Sequence, residues 1–244
     1  MQAVDYIAKV SEYTKLTEKY HLIFLELFDP HRIEFKAGQF LSLKVLGEEQ
    51  RRSYSITSPP AKNHGVELLV DIGPQGVGTR YLVSLKPGDE VEFLAPLGKF
   101  MMVEVGVPVA RGGKTEEELV FVATGCGVSP IRSMILDLLE TKKDKRPIKL
   151  LWGLRYVDDM FWEEDFRKLA EFYSNFEVDI TLSKPPEDWP LCSGRVTDCI
   201  GKHEFNFGKS GFYLCGNREM IEEMRRLLSG KGVQPSNIHY EKFY

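Results

Sequence analysis

An excess of either charge is missing from this chain. Its 32 lysines and arginines face 36 aspartates and glutamates, a formal charge of −4, and no basic block is long enough to hold a nucleic-acid backbone. The one dense cluster, Lys142-Lys143-Asp144-Lys145-Arg146, follows an apolar helical pattern and reads as a solvated last turn that complements the helix dipole. Long apolar runs are missing as well: none approaches the roughly eighteen residues needed to span a bilayer. The start, Met1-Gln2-Ala3-Val4-Asp5, lacks a basic region followed by a hydrophobic one. These absences argue against nucleic acid and membrane as partners and lead us to expect a cytoplasmic protein.

Cysteine and histidine are scarce. Of the four cysteines, Cys126, Cys192, Cys199 and Cys215, only Cys192 and Cys199 lie near each other, with six residues between them. That spacing fits neither a zinc ribbon nor a ferredoxin-type iron–sulfur run, so no metal is expected. Thiols in an intracellular chain stay reduced; Cys126 reads as a small buried filler, and Cys192 and Cys199 as structural residues. The five histidines (His21, His31, His64, His203, His239) show no pairing with a Ser, Cys or metal-type neighbour and are expected to be solvated or satisfied in loops. Internal repeats and low-complexity tracts are absent.

What is present is an ordinary soluble composition, 43% apolar and 28% charged over 244 residues, enough for one or two domains. The rhythm changes near residue 110. Before it come short alternating segments, His21–Phe28, Gln39–Val45, Arg52–Thr57, Val66–Asp71 and Glu90–Leu94, separated by turns such as Lys36-Ala37-Gly38 and Lys86-Pro87-Gly88-Asp89. Six or so such strands predict a small antiparallel barrel over residues 1–105. After it, the buried-type strand Leu119–Ala123 leads into Ile131, Met134, Ile135, Leu138 and Leu139 at helical spacing. Strand-like Ile148–Trp152, a helix Asp158–Phe172, strands Phe176–Leu182 and Gly211–Cys215, and a helix Glu219–Leu228 follow. This alternation predicts an α/β unit, a parallel sheet with covering helices, over 114–244.

The turn Thr124-Gly125-Cys126-Gly127-Val128-Ser129-Pro130 sits between strand and helix. Glycines there let backbone approach a pyrophosphate, and the helix offers free N–H groups at its positive end. Ser129 can cap and Pro130 suits the first helical position. A strand-to-helix turn in any α/β domain could use the same residues. Arg155, Ser183-Lys184 and Arg195 stand after the next strands, where three cations could hold the 2′-phosphate of NADPH; solvated loop residues would look the same.

In the strand from Arg52, alternation puts Arg52, Tyr54 and Ile56 on one face and Ser53, Ser55 and Thr57 on the other. A tyrosine ring can stack on a flat isoalloxazine, a serine hydroxyl can bond its N5 or O4, and an arginine can neutralise a pyrophosphate. Gly76-Val77-Gly78-Thr79 then reads as a glycine turn opening a short helix, a second anion site.

Taken in order, Phe35-Lys36-Ala37-Gly38-Gln39-Phe40, Arg52-Ser53-Tyr54-Ser55, Gly78-Thr79, Leu85-Lys86-Pro87-Gly88-Asp89, Pro96-Leu97-Gly98-Lys99-Phe100, Thr124 to Pro130, Cys215-Gly216-Asn217 and Tyr240-Glu241-Lys242-Phe243-Tyr244 resemble the ferredoxin–NADP⁺ reductase superfamily over nearly the whole chain. The resemblance implies a six-stranded antiparallel flavin barrel followed by an α/β Rossmann-like, parallel-sheet nicotinamide domain, with hydride passing between nicotinamide C4 and flavin N5. It implies FAD more often than FMN, held by Arg52, Ser53, Tyr54 and Ser55, with Gly78 and Thr79 at its pyrophosphate. Thr124, Gly125, Gly127 and Pro130 would shape the nicotinamide pocket, with Cys215 beside the hydride path. Glu241 and an aromatic at Phe243 or Tyr244 would approach the flavin. Ser55, Cys215 and Glu241 are thus the implied catalytic set, and Arg155, Ser183, Lys184 and Arg195 the implied coenzyme set. Two departures stand out: Asp71 where relatives often have a basic residue, and Cys126 where threonine is common.

The reading that follows is a reductase taking a hydride from NADPH onto FAD and giving single electrons to a ferredoxin or flavodoxin. Two alternatives stay open. One is the NADH-dependent reductase component of an oxygenase system; the other is a flavin-carrying subunit of a larger redox complex, against which the lack of a cysteine cluster after the nicotinamide domain counts.

Overall fold

In a computed structural model, residues 2–45, 50–103 and 116–243 are described. The contacts divide the chain into two compact units, Met1–Met102 with Arg132–Lys142, and Val103–Ile131 with Lys143–Tyr244. The limits expected at 105 and 114 fall in 104–115, outside the described residues. None of the described helices is long and apolar enough to cross a membrane.

The first unit holds β1 (Val4–Lys15), β2 (Tyr20–Asp29), β3 (Phe40–Lys44), β4 (Arg51–Ser55), β5 (Gly65–Asp71), α1 (Val77–Ser84) and β6 (Glu90–Leu97). Its strands are antiparallel in the order β4-β3-β6-β1-β2-β5, and an Ile56↔Leu68 bridge joins the two ends of that order into a nearly closed barrel. Alternation explains the interior. Tyr6, Ala8 and Val10 of β1, Ile23, Leu25 and Leu27 of β2, Leu41 and Leu43 of β3, Val66, Leu68 and Val70 of β5, and Val91, Phe93 and Ala95 of β6 form one buried cluster. Each set repeats every second residue, the period that sends side chains to one face of a strand. Bulges near Ile7/Ala8, Val10/Glu12 and Phe40/Ser42 interrupt the ladders and supply the bending that closure needs. The long first strand, β1, is an element that the turn punctuation alone did not delimit.

The second unit holds β7 (Glu118–Thr124), the first turn of α2 (Val128–Leu136), whose residues from Arg132 on count with the first unit, β8 (Ile148–Leu154), α3 (Glu163–Phe172), β9 (Phe176–Leu182), β10 (Cys192–Ser193), α4 (Val196–Cys199), β11 (Ser210–Gly216), α5 (Arg218–Gly230) and β12 (Ile238–Lys242). Its strands are parallel in the order β10-β9-β8-β7-β11-β12. The middle strands are apolar on both faces, as a doubly covered sheet requires. On one face Val120, Val122, Leu151, Phe212 and Leu214 pack with Met220, Ile221, Met224 and Leu228 of α5 and with Val196 and Ile200. Elsewhere the sheet carries Trp152, whose ring meets Phe161 and Phe166 edge-on at 4.8 and 5.9 Å. Asn217 caps α5 by accepting the Met220 N–H at 2.8 Å.

Several expectations are corrected. The helix expected from Asp158 begins at Glu163, because Trp162 has φ +54°, a left-handed conformation that cannot continue a right-handed helix. Ser129 does not cap: a 3₁₀ turn, Gly125–Gly127, precedes α2, which starts at Val128, and so Ser129 and Pro130 lie inside its first turn. Cys126 is half-buried, not buried. Cys192 and Cys199 are not reduced thiols but a disulfide, so the thiol expectation fails for this pair. His239 is in strand β12, with its Nε2 2.7 Å from Glu116 Oε1, and His21 lies in β2, 2.7 Å from the Tyr13 hydroxyl; neither is a loop residue.

Glu116 organises the start of the sheet. It accepts the Tyr213 hydroxyl at 2.7 Å, while that hydroxyl accepts the Val103 N–H at 3.2 Å, and the Tyr213 and His239 rings stack at 4.5 Å. Gly211 makes the room, since a Cβ there would lie 2.2 Å from the Glu116 carboxyl carbon. Burial, together with the Glu116 charge, pushes the Tyr213 phenol far up, so it stays a donor.

Glu116→Ala strands the buried Tyr213 hydroxyl and is expected to cost about 3 kcal/mol of unfolding free energy in denaturant titration; a loss below about 1 kcal/mol would show that water replaces the carboxylate. The disulfide closes a loop of sequence separation 7. Its reduction is expected to cost about 2–3 kcal/mol, read in the same titration with and without a dithiol.

Candidate functional site

In the first unit, Arg52 and Tyr54 of β4 share one face, as alternation predicts, and the opening of α1 lies on it. A Cβ at Gly78 would come 2.6 Å from Tyr54 Oη and 2.8 Å from Arg52 Cγ, so only glycine admits this approach. Thr79 hydrogen-bonds the Tyr54 hydroxyl, and burial, offset by that bond and by Arg52, moves the phenol up to about 12. Tyr54 is half-buried and packs on the barrel core. Arg52 binds the Arg51 carbonyl at 2.9 Å and the Gln50 side chain. The α1 N-cap, Gly76, makes no side-chain capping bond, which leaves the first-turn N–H groups to an outside acceptor. Ser55 is 9% exposed and pairs with Phe40 of β3, whereas Ser53 faces solvent. The structure thus brings Arg52, Tyr54, Gly78 and Thr79 into one cluster. A guanidinium, a ring and an uncapped helix start fit an aromatic ring system that carries a diphosphate.

In the second unit the chain exits β7 and β11 side by side. A Cβ at Gly127 would lie 2.2 Å from the Cys215 carbonyl oxygen, and one at Gly216, where φ is +146°, would lie 2.1 Å from Thr124 Oγ1. Thr124 Oγ1 accepts the Asn217 N–H at 3.1 Å, and the Phe243 N–H donates to the Gly216 carbonyl at 3.0 Å. β7 runs to β8 on one side while β11 lies on the other, so this is where strand order reverses, the place ligands take in an open α/β sheet. Thr124, Gly125, Gly127 and Cys215 are brought together, and Pro130 lies one helical turn on.

Cys215 and Glu241 are register partners on β11 and β12. Cys215 is fully buried, and burial first, then the Glu241 and Cys126 charges, holds its thiol well above the usual range. Burial alone pushes Glu241 up to about 7. The pair therefore offers a neutral thiol beside a carboxyl group that can hold or release a proton near neutrality. Tyr244 lies outside the described residues.

Of the expected cations, Arg155 and Lys184 converge on Tyr156, with Cζ and Nζ 5.4 and 5.8 Å from its ring centre. Backbone bonds splice their strands, Ser183 N–H to the Leu154 carbonyl at 3.0 Å and Lys184 N–H to the Arg155 carbonyl at 2.9 Å. Arg195 differs: its Nη1 is 3.8 Å from Glu223 Oε2 on α5. Tyr156 and Glu223 escaped the sequence reading. The signal for Tyr156 was an aromatic directly after a strand-end arginine; for Glu223 there was none, because its partner is distant in sequence.

Two family models match the chain, Oxidoreductase FAD-binding domain over residues 7–102 and Oxidoreductase NAD-binding domain over 121–226. The chain is 29% identical over 243 residues to the toluate 1,2-dioxygenase electron transfer component of Pseudomonas putida, covering 99% of this chain and 68% of that protein. It is 33% identical over 244 residues to the phenol 2-monooxygenase reductase component DmpP of Pseudomonas sp. (strain CF600), covering 98% and 66%. The crystal structure of Amycolatopsis cytochrome P450 reductase GcoB superposes with a TM-score of 0.85 at 27% identity, covering 99% of this chain and 70% of that one. The chain spans about two thirds of the length of both sequence relatives.

The raised Glu241 carboxyl has a signed consequence. An acid whose folded value exceeds its unfolded one binds more protons when folded, so its contribution falls as pH rises from the ordinary 4.5 to about 7 and is flat above. Glu241→Gln is expected to flatten that window and to gain up to about 3 kcal/mol over the parent above pH 7. Unfolding curves of both proteins across pH 4–8 check this; parallel curves would contradict it.

Proposed function

Because this chain belongs to the ferredoxin–NADP⁺ reductase superfamily, with an FAD-binding and an NAD-binding domain that serve electron transfer between NAD(P)H and FAD, we propose that it is the NADH-dependent reductase component of an oxygenase system. The observation that carries this reading is that two relatives covering nearly the whole chain are an electron transfer component of a dioxygenase and a reductase component of a monooxygenase. It displaces the ferredoxin or flavodoxin reductase as the favoured reading, while the demand for a separate one-electron acceptor stays the same.

When bound, FAD would supply the chemistry of accepting two electrons as a hydride and passing them on singly. Arg52, Tyr54, Gly78 and Thr79 would hold it: the ring of Tyr54 by stacking, Arg52 and the α1 start by charge and N–H donation. Ser53 and Ser55 would flank it, with the Ser55 hydroxyl available as a hydrogen-bond partner. Thr124, Gly125, Gly127 and Pro130 would seat the coenzyme. Cys215, buried and neutral, would shape the wall of that pocket without acting as a nucleophile, and Glu241 would hold or release a proton at its carboxyl.

The choice of NADH rests on Glu223. A carboxylate 3.8 Å from Arg195 would offset the positive charge that Arg195 could offer a 2′-phosphate and would itself repel that phosphate. Arg155, Ser183, Lys184 and Tyr156 would then contact the adenosine end without a phosphate to grip.

With ferricyanide as a stand-in one-electron acceptor, kcat/KM is expected to be higher for NADH than for NADPH. Lys184→Ala and Arg195→Ala should change KM for NADH less than about threefold, since each loses only a solvent-screened contact. A preference for NADPH that collapses in these variants would return the favour to the ferredoxin or flavodoxin reductase.

A further inference from the structure

Trp152 is fully buried near the end of β8, paired laterally with Ala123 and Ile180. Its edge-on contacts with Phe161 and Phe166 account for a large ring at this position, and phenylalanine would make them as well. They do not account for a nitrogen. A buried indole N–H needs an acceptor, and this one donates to the carbonyl oxygen of Gly125 at 3.2 Å.

That carbonyl belongs to the first peptide of the turn after β7. Gly125 has φ +51°, and its oxygen also receives the Val128 N–H, so two donors fix its direction. The Gly125–Cys126 peptide is planar and trans, which makes its C=O and N–H point in opposite directions. A carbonyl drawn to the Trp152 indole therefore turns the Cys126 N–H the opposite way. Rotating this peptide by half a turn would put a carbonyl oxygen there instead, facing an anionic ligand with an acceptor. Glycine at 125 leaves both orientations sterically open; the indole N–H favours one of them.

We infer that Trp152 is a positioning residue for coenzyme binding: its indole N–H sets the Gly125–Cys126 peptide in the orientation that presents a backbone donor to the coenzyme's phosphates. This rests on reading Thr124 to Pro130 as the coenzyme turn. The oxidation–reduction step itself is not touched, so the effect falls on affinity.

The test uses the full, FAD-loaded chain and binding of NAD⁺ measured by calorimetry, alongside steady-state turnover with NADH. Trp152→Phe keeps the ring packing and removes the donor. A lost hydrogen bond of ordinary strength should weaken NAD⁺ binding about fivefold to tenfold, with KM for NADH rising in step and kcat falling less than about twofold. Phe161→Leu loosens the same ring contacts without removing the donor; it should lower Tm and leave NAD⁺ binding unchanged. If both variants weaken binding in proportion to their loss of Tm, or if Trp152→Phe leaves binding unchanged, Trp152 is core packing only and the inference is overturned. Gly127→Ala separates the two readings. Weakened binding there with none in Trp152→Phe sinks the role of Trp152 alone, whereas intact binding in Gly127→Ala sinks the coenzyme turn itself. Should Trp152→Phe fail to fold, the parent protein still decides. Of its three indole N–H signals, the one that persists in both Trp162→Phe and Trp189→Phe should shift when NAD⁺ is added, and an unmoved signal would overturn the inference.

Discussion

The close approach of two backbone exits governs the second unit. β7 and β11 end so near each other that a single Cβ on Gly127 would meet the Cys215 carbonyl, and one on Gly216 would meet the Thr124 hydroxyl. Only hydrogen-sized side chains allow it. Once the approach is made, the rest follows: Thr124 accepts the Asn217 N–H, Asn217 caps α5, and the Gly216 carbonyl holds the chain after β12. Cys215 and Glu241 are thereby fixed as neighbours in a buried setting that keeps one neutral and brings the other near neutrality.

The first unit uses the same device on a different scaffold. Gly78 lets a helix start rest on Arg52 and Tyr54, and the barrel beneath is held by side chains repeating at every second position. In both units a glycine brings helix N–H groups against a strand edge. Backbone donors positioned by a packed core cost little reorganisation when a phosphate arrives.

Much of this was legible in the chain. Period-two segments marked the barrel strands because one face must be buried, and unbroken apolar runs marked the parallel strands because both faces must be. The cluster of Arg52, Tyr54, Gly78 and Thr79 could be anticipated because strand alternation puts the first two on one face. What stayed hidden were contacts between residues far apart in sequence: Glu116 with Tyr213 and His239, Glu223 with Arg195, and the indole of Trp152 under Gly125. The disulfide was hidden for another reason. Two cysteines with six residues between them carry no pairing signal by themselves, and thiols inside a cell are expected to stay reduced. Trp162 shortened α3 through a left-handed φ that no helical periodicity could signal.

A flavin reductase in which each unit cradles one cofactor is tested most directly by an anaerobic titration of the purified protein with NADH, followed through the visible absorbance of its flavin. The expected result is a flavin that copurifies, is released as FAD on denaturation, and is bleached by about one equivalent of NADH. A protein that shows no flavin band even after FAD is supplied, or holds FAD that neither NADH nor NADPH bleaches, would contradict it.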